Sequence, residues 1–295
     1  QQLAGEKLSE MVSLARAGCI AFSQAKQPIF DTKVMLRAMQ YAATFGFALR
    51  LLPQDHYLAR DGVAHEGEVA SRLGLAGIPA CAETVAITTA LQLAQETGVR
   101  LHLSRLSSAA GVALVREAKK NGIKVSCDVS IHHLHLSDAD IGYFDTHARF
   151  DPPLRSACDR EALRQAAADG VAAICSDHTP VDDDGKQLPF GEALPGAIGL
   201  EFLLPLTLKW AEEMKLPLSS ALARITCDPA VILGIEVGSL AIGGAADVCI
   251  FSPSECWRVA AEALHSQARN TPFMGREMSG RVRTTLVGGR VVFEC

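Results

Sequence analysis

The chain has 295 residues, 48% of them hydrophobic, a mean hydropathy of +0.17 and a net charge of −5, so it is long and apolar enough for one large α/β domain. Its 28 basic and 33 acidic residues are mixed without a basic stripe, which argues against a nucleic-acid partner. Nine scattered cysteines without a C-x-x-C pair predict buried thiols in a cytoplasmic protein, and the sequence shows no membrane span and no signal peptide.

Short apolar runs alternate with segments of helical periodicity over most of the chain. Strands are predicted, in chain order, at 18–22, 47–52, 99–104, 123–130 and 171–175. Helices are predicted at 31–45, 82–96, 108–122 and 160–168, the third with a Ser start and an Asn-Gly stop. This repetition predicts a parallel sheet closed into a TIM-type (β/α)8 barrel, in which chemistry sits at the carboxyl ends of the strands.

The C-terminal part of the sequence has a different, β-rich pattern. Two apolar runs near the end, VRTTLV and RVVFE, are joined by Gly288-Gly289, which predicts a hairpin. We therefore expect a barrel over residues 1–236 and a small β appendage over residues 237–295.

The predicted strand 171–175 ends in the stretch SDHTPV, which places Asp177 and His178 where a barrel would hold its chemistry. A carboxylate at this position can bind a metal ion or act as a general base. The same Asp-His pair can also cap the following loop. The motif alone leaves both interpretations open.

A second cluster of candidate metal ligands is the run IHHLHL, which contains His132, His133 and His135. If the run is extended, His133 and His135 share a face and His132 lies on the other. Two imidazoles need a third ligand to hold zinc, so a loop of buried, hydrogen-bonded histidines is the favoured interpretation. His102 lies inside an apolar strand and is expected to be a core or solvated residue.

Several motifs together resemble the dihydroorotase family of the amidohydrolase superfamily. They run in order along most of the chain and include HHLHLS, DPPLR, ICSDHTPV, GAIGLE, DPAVILG and NTPFMGREMSGRV. The resemblance implies a metal-dependent (β/α)8 barrel that interconverts carbamoyl aspartate and dihydroorotate. In that family, an H-x-H pair on the first strand, later histidines and an Asp hold one or two zinc ions.

Most of the functional residues of that family are not carried over. The first-strand H-x-H has no counterpart, so the first barrel strand is expected to be missing. Two further ligand positions fall on Leu52 and Arg105, and only Asp177 is retained, as a vestigial base position. Leucine has no lone pair to give, and a guanidinium repels a dication. The substrate-binding positions are degenerate and fall on Ala25, Asp151 and Val181.

The lost ligands resemble those of the non-catalytic, dihydroorotase-like chains of bacterial aspartate transcarbamoylase, pseudomonads especially. That resemblance implies a pseudoenzyme with no cofactor, which acts as a structural subunit and has the aspartate transcarbamoylase catalytic chain as its partner in a heterododecamer.

The alternative is an active cyclic amidohydrolase with rearranged ligands, with zinc on Asp177 and one of His178, His102 or the 132–135 cluster. A third possibility is a barrel that binds dihydroorotate without reaction, anchored by Arg105 and Arg155. Asp177 is also expected to pair with Arg105.

Overall fold

The computed structural model describes residues 5–295, which form an α/β fold around a parallel sheet. Its strands are β1 (Ala21–Ser23), β2 (Ala48–Leu51), β3 (Ala64–His65), β4 (Gly77–Ile78), β5 (Arg100–Leu103), β6 (Val125–Ser130), β7 (Ala173–Cys175), β8 (Val248–Arg258), β9 (Glu277–Val287) and β10 (Arg290–Glu294). Its α-helices are α1 (Met11–Arg16), α2 (Thr32–Thr44), α3 (His56–Ala59), α4 (Glu68–Leu73), α5 (Cys81–Thr97), α6 (Ala109–Lys120), α7 (Ala157–Ala168), α8 (Asp183–Gln187), α9 (Leu203–Glu213), α10 (Leu218–Ala223) and α11 (Cys227–Leu233). Short 3₁₀ helices cover Asp138–Ile141, Thr146–Ala148 and Ala261–Ala263.

The central sheet has five parallel strands in the order β1, β2, β5, β6, β7. At least one helix separates each strand from the next along the chain, which is the βαβ arrangement that the sequence predicts. Leu101 and Leu103 of β5 are fully buried in the hydrophobic core. On the opposite face, the register places Arg50 beside His102 and His102 beside Ser126. A polar row therefore crosses three neighbouring strands.

The sequence signals for the ends of the helices agree with the structure. Helix α2 begins after Asp31, whose side chain accepts a hydrogen bond from the Lys33 N–H at 2.8 Å. Helix α6 begins after Ser108, whose Oγ accepts from the Gly111 N–H at 3.0 Å, and it ends before the predicted Asn-Gly stop. The first strand lies later than predicted, at Ala21–Ser23, because a turn that includes Gly18, at φ +105°, precedes it.

The C-terminal strands form a separate three-stranded antiparallel sheet in the order β10, β9, β8. Gly288 and Gly289 have φ values of +55° and +77°, the left-handed conformation that a tight two-residue hairpin requires, and the predicted hairpin is confirmed. Strand β9 packs on α9, where Gly280 leaves room for Leu208. A side chain at position 280 would come within 2.5 Å of that leucine.

The cysteines differ from the prediction of buried thiols. All nine are free, but only Cys127 is buried, and the exposed ones are Cys19, Cys81, Cys158, Cys249, Cys256 and Cys295. The sequence pattern missed this because most of them lie at helix starts, in surface strands or in loops. None of the helices within residues 5–295 is long and apolar enough to cross a membrane.

Candidate functional site

A buried ion pair lies at the carboxyl ends of the central strands. Arg105 follows β5, Asp177 follows β7, and the Arg105 Nη1 donates to Asp177 Oδ1 at 2.9 Å. The two side chains are only 11% and 7% exposed. The same nitrogen donates to the carbonyl oxygen of Asp151 at 3.1 Å. Burial acts to lower the pKa of Arg105, but the adjacent Asp177 carboxylate outweighs it and raises that pKa, so the guanidinium stays charged. The pairing expected from the sequence is therefore present.

Three residues at this edge of the sheet adopt the left-handed backbone conformation without being glycine. The φ values are +55° at Ala25, +56° at Arg105 and +45° at Asp177. Such conformations cost of order 1–3 kcal/mol each and persist only where the surroundings hold them in place. The backbone geometry at this edge is therefore maintained against a conformational cost.

The loop that carries Arg105 is fixed by the buried carboxylate of Glu83 on α5. Its oxygens accept from the backbone N–H of Ser107 and Ser108 at 2.7 and 3.0 Å, and from their hydroxyls at 2.5 and 2.6 Å. Burial raises the pKa of Glu83, and these hydrogen bonds oppose the rise. Arg155 donates to Ser107 Oγ and to the Ile78 carbonyl and is 3% exposed. Arg155 is thus engaged in this internal network, and its role as an anchor for dihydroorotate stays a prediction.

The sheet face that carries the polar row also carries a buried carboxylate, Asp128, which the sequence analysis did not identify. Asp128 Oδ2 lies 2.8 Å from His102 Nε2, and its Oδ1 accepts from the Arg105 N–H at 2.8 Å. The other His102 nitrogen lies 2.9 Å from Ser126 Oγ. Burial opposes ionisation of Asp128, but the hydrogen bond and charge of His102 outweigh it and lower the pKa of Asp128. The signal available in the sequence was a charged residue inside the apolar strand IKVSCDVS.

The histidine-rich run is a turn, so the extended arrangement considered from the sequence is wrong. The N–H groups of His135 and Leu136 both donate to the His132 carbonyl, which folds the segment back on itself. His133 Nε2 lies 3.2 Å from the carbonyl oxygens of Pro152 and Pro153, whereas His135 Nε2 lies 2.9 Å from that of Leu206. The two rings contact different elements and share no ligand site.

His132 is fully buried, and neither of its ring nitrogens has a hydrogen-bond partner within residues 5–295. Its ring lies between Phe150 and Phe273, with ring centroids 5.0 and 6.0 Å away. Burial lowers the pKa of His132 to about 4, so the imidazole is neutral at physiological pH. An unpartnered buried imidazole is uncommon and requires a structural or functional reason.

The loop after β7 is held in place by hydrogen bonds between side chains and backbone groups. His178 Nδ1 accepts from the N–H groups of Gly199 and Leu200 at 3.2 and 3.4 Å. The Val181 side chain is buried, and its N–H donates to Asn270 Oδ1 at 3.1 Å. Asn270, another residue that the sequence reasoning missed, also donates to the carbonyls of Thr179 and Gly196. His178 is thus engaged as an acceptor.

The degenerate substrate-binding position Ala25 and the former ligand position Leu52 line one cavity of about 170 Å³ together with Gln54. The Gln54 amide donates to Asp151 Oδ1 at 3.2 Å. The positions implied by the resemblance are therefore close together. They carry the methyl group of Ala25, the alkyl side chain of Leu52 and the Gln54 amide, which is already hydrogen-bonded to Asp151. The structure places no ionisable side chain at Ala25 or Leu52 for a substrate to contact.

The residues present do not fit a zinc site of the kind that the resemblance implies. Catalytic zinc takes about three protein ligands and an open position. Within the described chain, no group of three or more His, Cys, Asp or Glu side chains is arranged to hold a metal ion. Arg105 binds the one retained ligand, Asp177, and Leu52 occupies another ligand position.

Comparison with known proteins gives consistent matches over nearly the whole chain. Residues 57–292 match the amidohydrolase family, and residues 2–110 match the family described as dihydro-orotase-like. The sequence is 44% identical to a "Dihydroorotase-like protein" of Pseudomonas aeruginosa, over 98% of this chain and 69% of the relative. It is 40% identical to a "Dihydroorotase" of Geobacter sp. (strain M21), over 98% of this chain and 68% of that relative. The chain thus spans about two thirds of the length of these two relatives.

Among solved structures, the L-hydantoinase (dihydropyrimidinase) from Arthrobacter aurescens superimposes with a TM-score of 0.84 at 25% identity, over 97% of this chain and 67% of that one. A D-hydantoinase from Thermus sp. gives a TM-score of 0.85 at 17% identity, over 97% and 68% of the two chains. These matches confirm the predicted TIM-type (β/α) barrel architecture.

Proposed function

Because this chain belongs to the dihydroorotase-like amidohydrolases, we propose that it is a catalytically inactive dihydroorotase homologue that acts as a structural subunit. The observation that carries this proposal is the buried ion pair between Arg105 and Asp177. The resemblance assigns a metal ligand to each of these two positions.

The ion pair removes the chemistry that Asp177 would need. A carboxylate oxygen that accepts a charge-assisted hydrogen bond from a guanidinium is already occupied, so the group is a poor ligand for a dication. The guanidinium does not lose its proton in a protein, so the pair is not a switchable state. With Leu52 in another ligand position, the described residues offer no set of donors that would hold a metal ion to activate water.

The expected partner is the catalytic chain of aspartate transcarbamoylase, in the heterododecamer that the resemblance implies. The chain has a packed core and a strained backbone at the strand ends, whereas most of the metal-ligand positions that the resemblance implies carry other residues. A scaffold needs its shape and its surfaces but no reactive groups, so this combination supports a structural role.

The activity part of the proposal is tested by metal analysis and turnover. The full-length protein that contains this sequence is purified without chelator and assayed for zinc and for both directions of the dihydroorotate reaction. We expect well below one zinc per chain and no turnover above the buffer. About one zinc per chain together with dihydroorotate hydrolysis would overturn the proposal.

The partner is tested separately by co-expression with the transcarbamoylase catalytic chain of the same organism and size-exclusion chromatography. A single large complex that contains both chains is expected. Elution of the two chains as separate species at micromolar concentration would contradict the structural role, whatever the zinc content.

A second candidate is an active cyclic amidohydrolase with a rearranged metal site. The observation in its favour is His132, a neutral buried imidazole without a hydrogen-bond partner among the described residues, on which the Asp177 charge also acts. The hydantoinase likeness is compatible with this class of chemistry. In the same zinc assay, a His132→Leu variant that loses bound metal would support this candidate over the first.

A further inference from the structure

Two loops at the carboxyl side of the sheet are joined into one surface. The loop 137–147 follows β6, and the loop 181–194 follows β7. Thr146 Oγ1 donates to the Lys186 carbonyl at 2.6 Å, and Lys186 Nζ donates to the Thr146 carbonyl at 3.0 Å. Arg149 Nε adds a bond to the Ala193 carbonyl at 2.8 Å. The two loops are therefore held in a fixed relation by a reciprocal network.

The charges of this surface are segregated. The cations Lys186 and Arg149 point inward to backbone carbonyls, and Lys186 is only 6% exposed. The acidic side chains of the two loops that are exposed are Asp145, Asp182, Asp183, Asp184 and Glu192. None of these five forms a salt bridge within the part of the chain that is described. The outward field of the two loops is thus negative.

Apolar side chains project from the same loops. Tyr143 is 92% exposed and packs edge to face on Phe144, with ring centroids 5.4 Å apart. Phe144 has φ +62°, a strained conformation for a bulky residue, and it remains 37% exposed. Leu188 and Leu194 of the second loop are also exposed. All four side chains therefore leave apolar surface exposed to solvent.

We propose that this acidic–aromatic surface, made of Tyr143, Phe144, Leu188, Leu194 and the run 182–184, docks a protein partner that presents an apolar pocket ringed by Lys and Arg side chains. Tyrosine is among the residues that dominate interface energetics, and aromatic anchors bind in desolvated pockets. Negative charge around them repels nucleic acid and anionic membranes and selects a basic protein surface. The inference rests on the proposed function, in which the partner is the transcarbamoylase catalytic chain.

The experiment measures binding kinetics of the full-length protein to that immobilised catalytic chain by surface plasmon resonance. Tyr143→Ala is expected to weaken binding by ~10-fold or more, mainly through faster dissociation. Neutralising the run with Asp182→Asn, Asp183→Asn and Asp184→Asn is expected to slow association by ~10-fold at low salt and to flatten its salt dependence.

Matched controls lie elsewhere on the chain. Ile242→Ala removes an exposed apolar side chain, and Glu96→Gln, Glu117→Gln and Glu236→Gln together remove three exposed acids. Both controls should bind like the wild type. An unchanged thermal melting curve for Tyr143→Ala shows that any loss comes from the surface and not from unfolding.

The outcomes separate this inference from the proposed function. If the wild type binds and the loop variants bind no more weakly than the control variants, the docking surface is overturned. The structural role is then unaffected. Absence of binding by the wild type overturns the structural role itself, and this surface assignment with it.

Discussion

At the scale of single residues, the chemistry of the site depends on what each buried polar group has for a partner. Arg105 and Asp177 satisfy each other, and Glu83 is satisfied by two serines. His132 differs because its two ring nitrogens lack partners within residues 5–295. These three cases make different contributions to stability, and two of them give direct predictions.

The buried pair predicts a large cost for removing one partner. Arg105→Met leaves the Asp177 carboxylate buried without its cation, which should lower the free energy of unfolding by roughly 3–5 kcal/mol. Urea denaturation of the two single variants and the Arg105→Met/Asp177→Asn double variant gives the coupling between the two side chains. We expect the double variant to cost less than the sum of the single variants.

The control is Arg60→Met, which breaks the solvent-exposed pair with Asp61, in which the atoms are 3.7 Å apart. Exposed pairs are worth about 0–1 kcal/mol. If Arg105→Met costs no more than Arg60→Met, then the Arg105–Asp177 pair does not hold the site together.

His132 predicts a dependence of stability on pH. Its pKa is about 4 in the folded chain and 6.5 in the unfolded one, so the unfolded chain binds the proton more readily. The free energy of unfolding should therefore fall as the pH decreases from 6.5 to about 4, with roughly 3 kcal/mol from this residue. In His132→Leu, the denaturation midpoint should therefore change less with pH across that range.

The matched substitution is His56→Leu, which removes an exposed imidazole instead of a buried one. His133 and His135 also have lowered pKa values through burial, so only part of the slope is lost in the variant. An identical slope in His132→Leu and the wild type would rule out a buried neutral His132.

At the scale of elements, the end of β7 is positioned by close backbone packing. The segment that contains Gly199 crosses the loop after β7, and its N–H donates to His178. A Cβ atom at position 199 would lie 1.9 Å from the Ser176 carbonyl oxygen and 3.0 Å from His132 Nε2. Carbonyl backbone cannot move aside as a flexible side chain does, so this glycine sets the distance between the two segments.

Gly199→Ala is therefore expected to displace the loop that carries Asp177 and to destabilise the chain by more than about 2 kcal/mol, an overpacking effect. Gly191→Ala is the control, because nothing lies within 4 Å of a Cβ atom at position 191. Thermal unfolding of the two variants compares them directly. Equal melting temperatures would show that the contact at position 199 relaxes without cost.

At the scale of the whole molecule, the chain is an amidohydrolase barrel, and the proposed function predicts that its stability does not depend on a metal ion. The core is built from apolar residues of helices and strands, and the described residues offer no cluster of metal donors. A ligand that binds only the folded state raises stability by RT ln(1 + [L]/Kd), or about 2.7 kcal/mol at 100 times Kd.

Chelation with EDTA and addition of zinc should consequently leave the melting temperature of the full-length protein unchanged. Differential scanning calorimetry with each additive measures this. A decrease of several degrees with EDTA that zinc reverses would identify a structural or catalytic metal and favour the second candidate function.

Much of the fold could be predicted from the sequence because its signals are local. Hydrophobic periodicity predicted the strands and helices, Asp31 and Ser108 marked helix starts, and Gly288-Gly289 marked a hairpin. Each of these depends on the backbone preferences of a few adjacent residues. Residue type alone also indicated that Leu52 is no metal ligand, since an alkyl group has no lone pair.

The tertiary structure decided which polar groups meet. Asp128 contacts His102 because parallel strands fix the register between segments 26 residues apart, and Glu83 reaches two serines of the next βα loop. The histidine-rich run forms a turn through hydrogen bonds within the run, whereas the carbonyls that its rings contact belong to other parts of the fold. Hydrogen-bond partners in a buried site depend on distances across the whole fold, whereas a sequence alone specifies the donors and acceptors that must be satisfied.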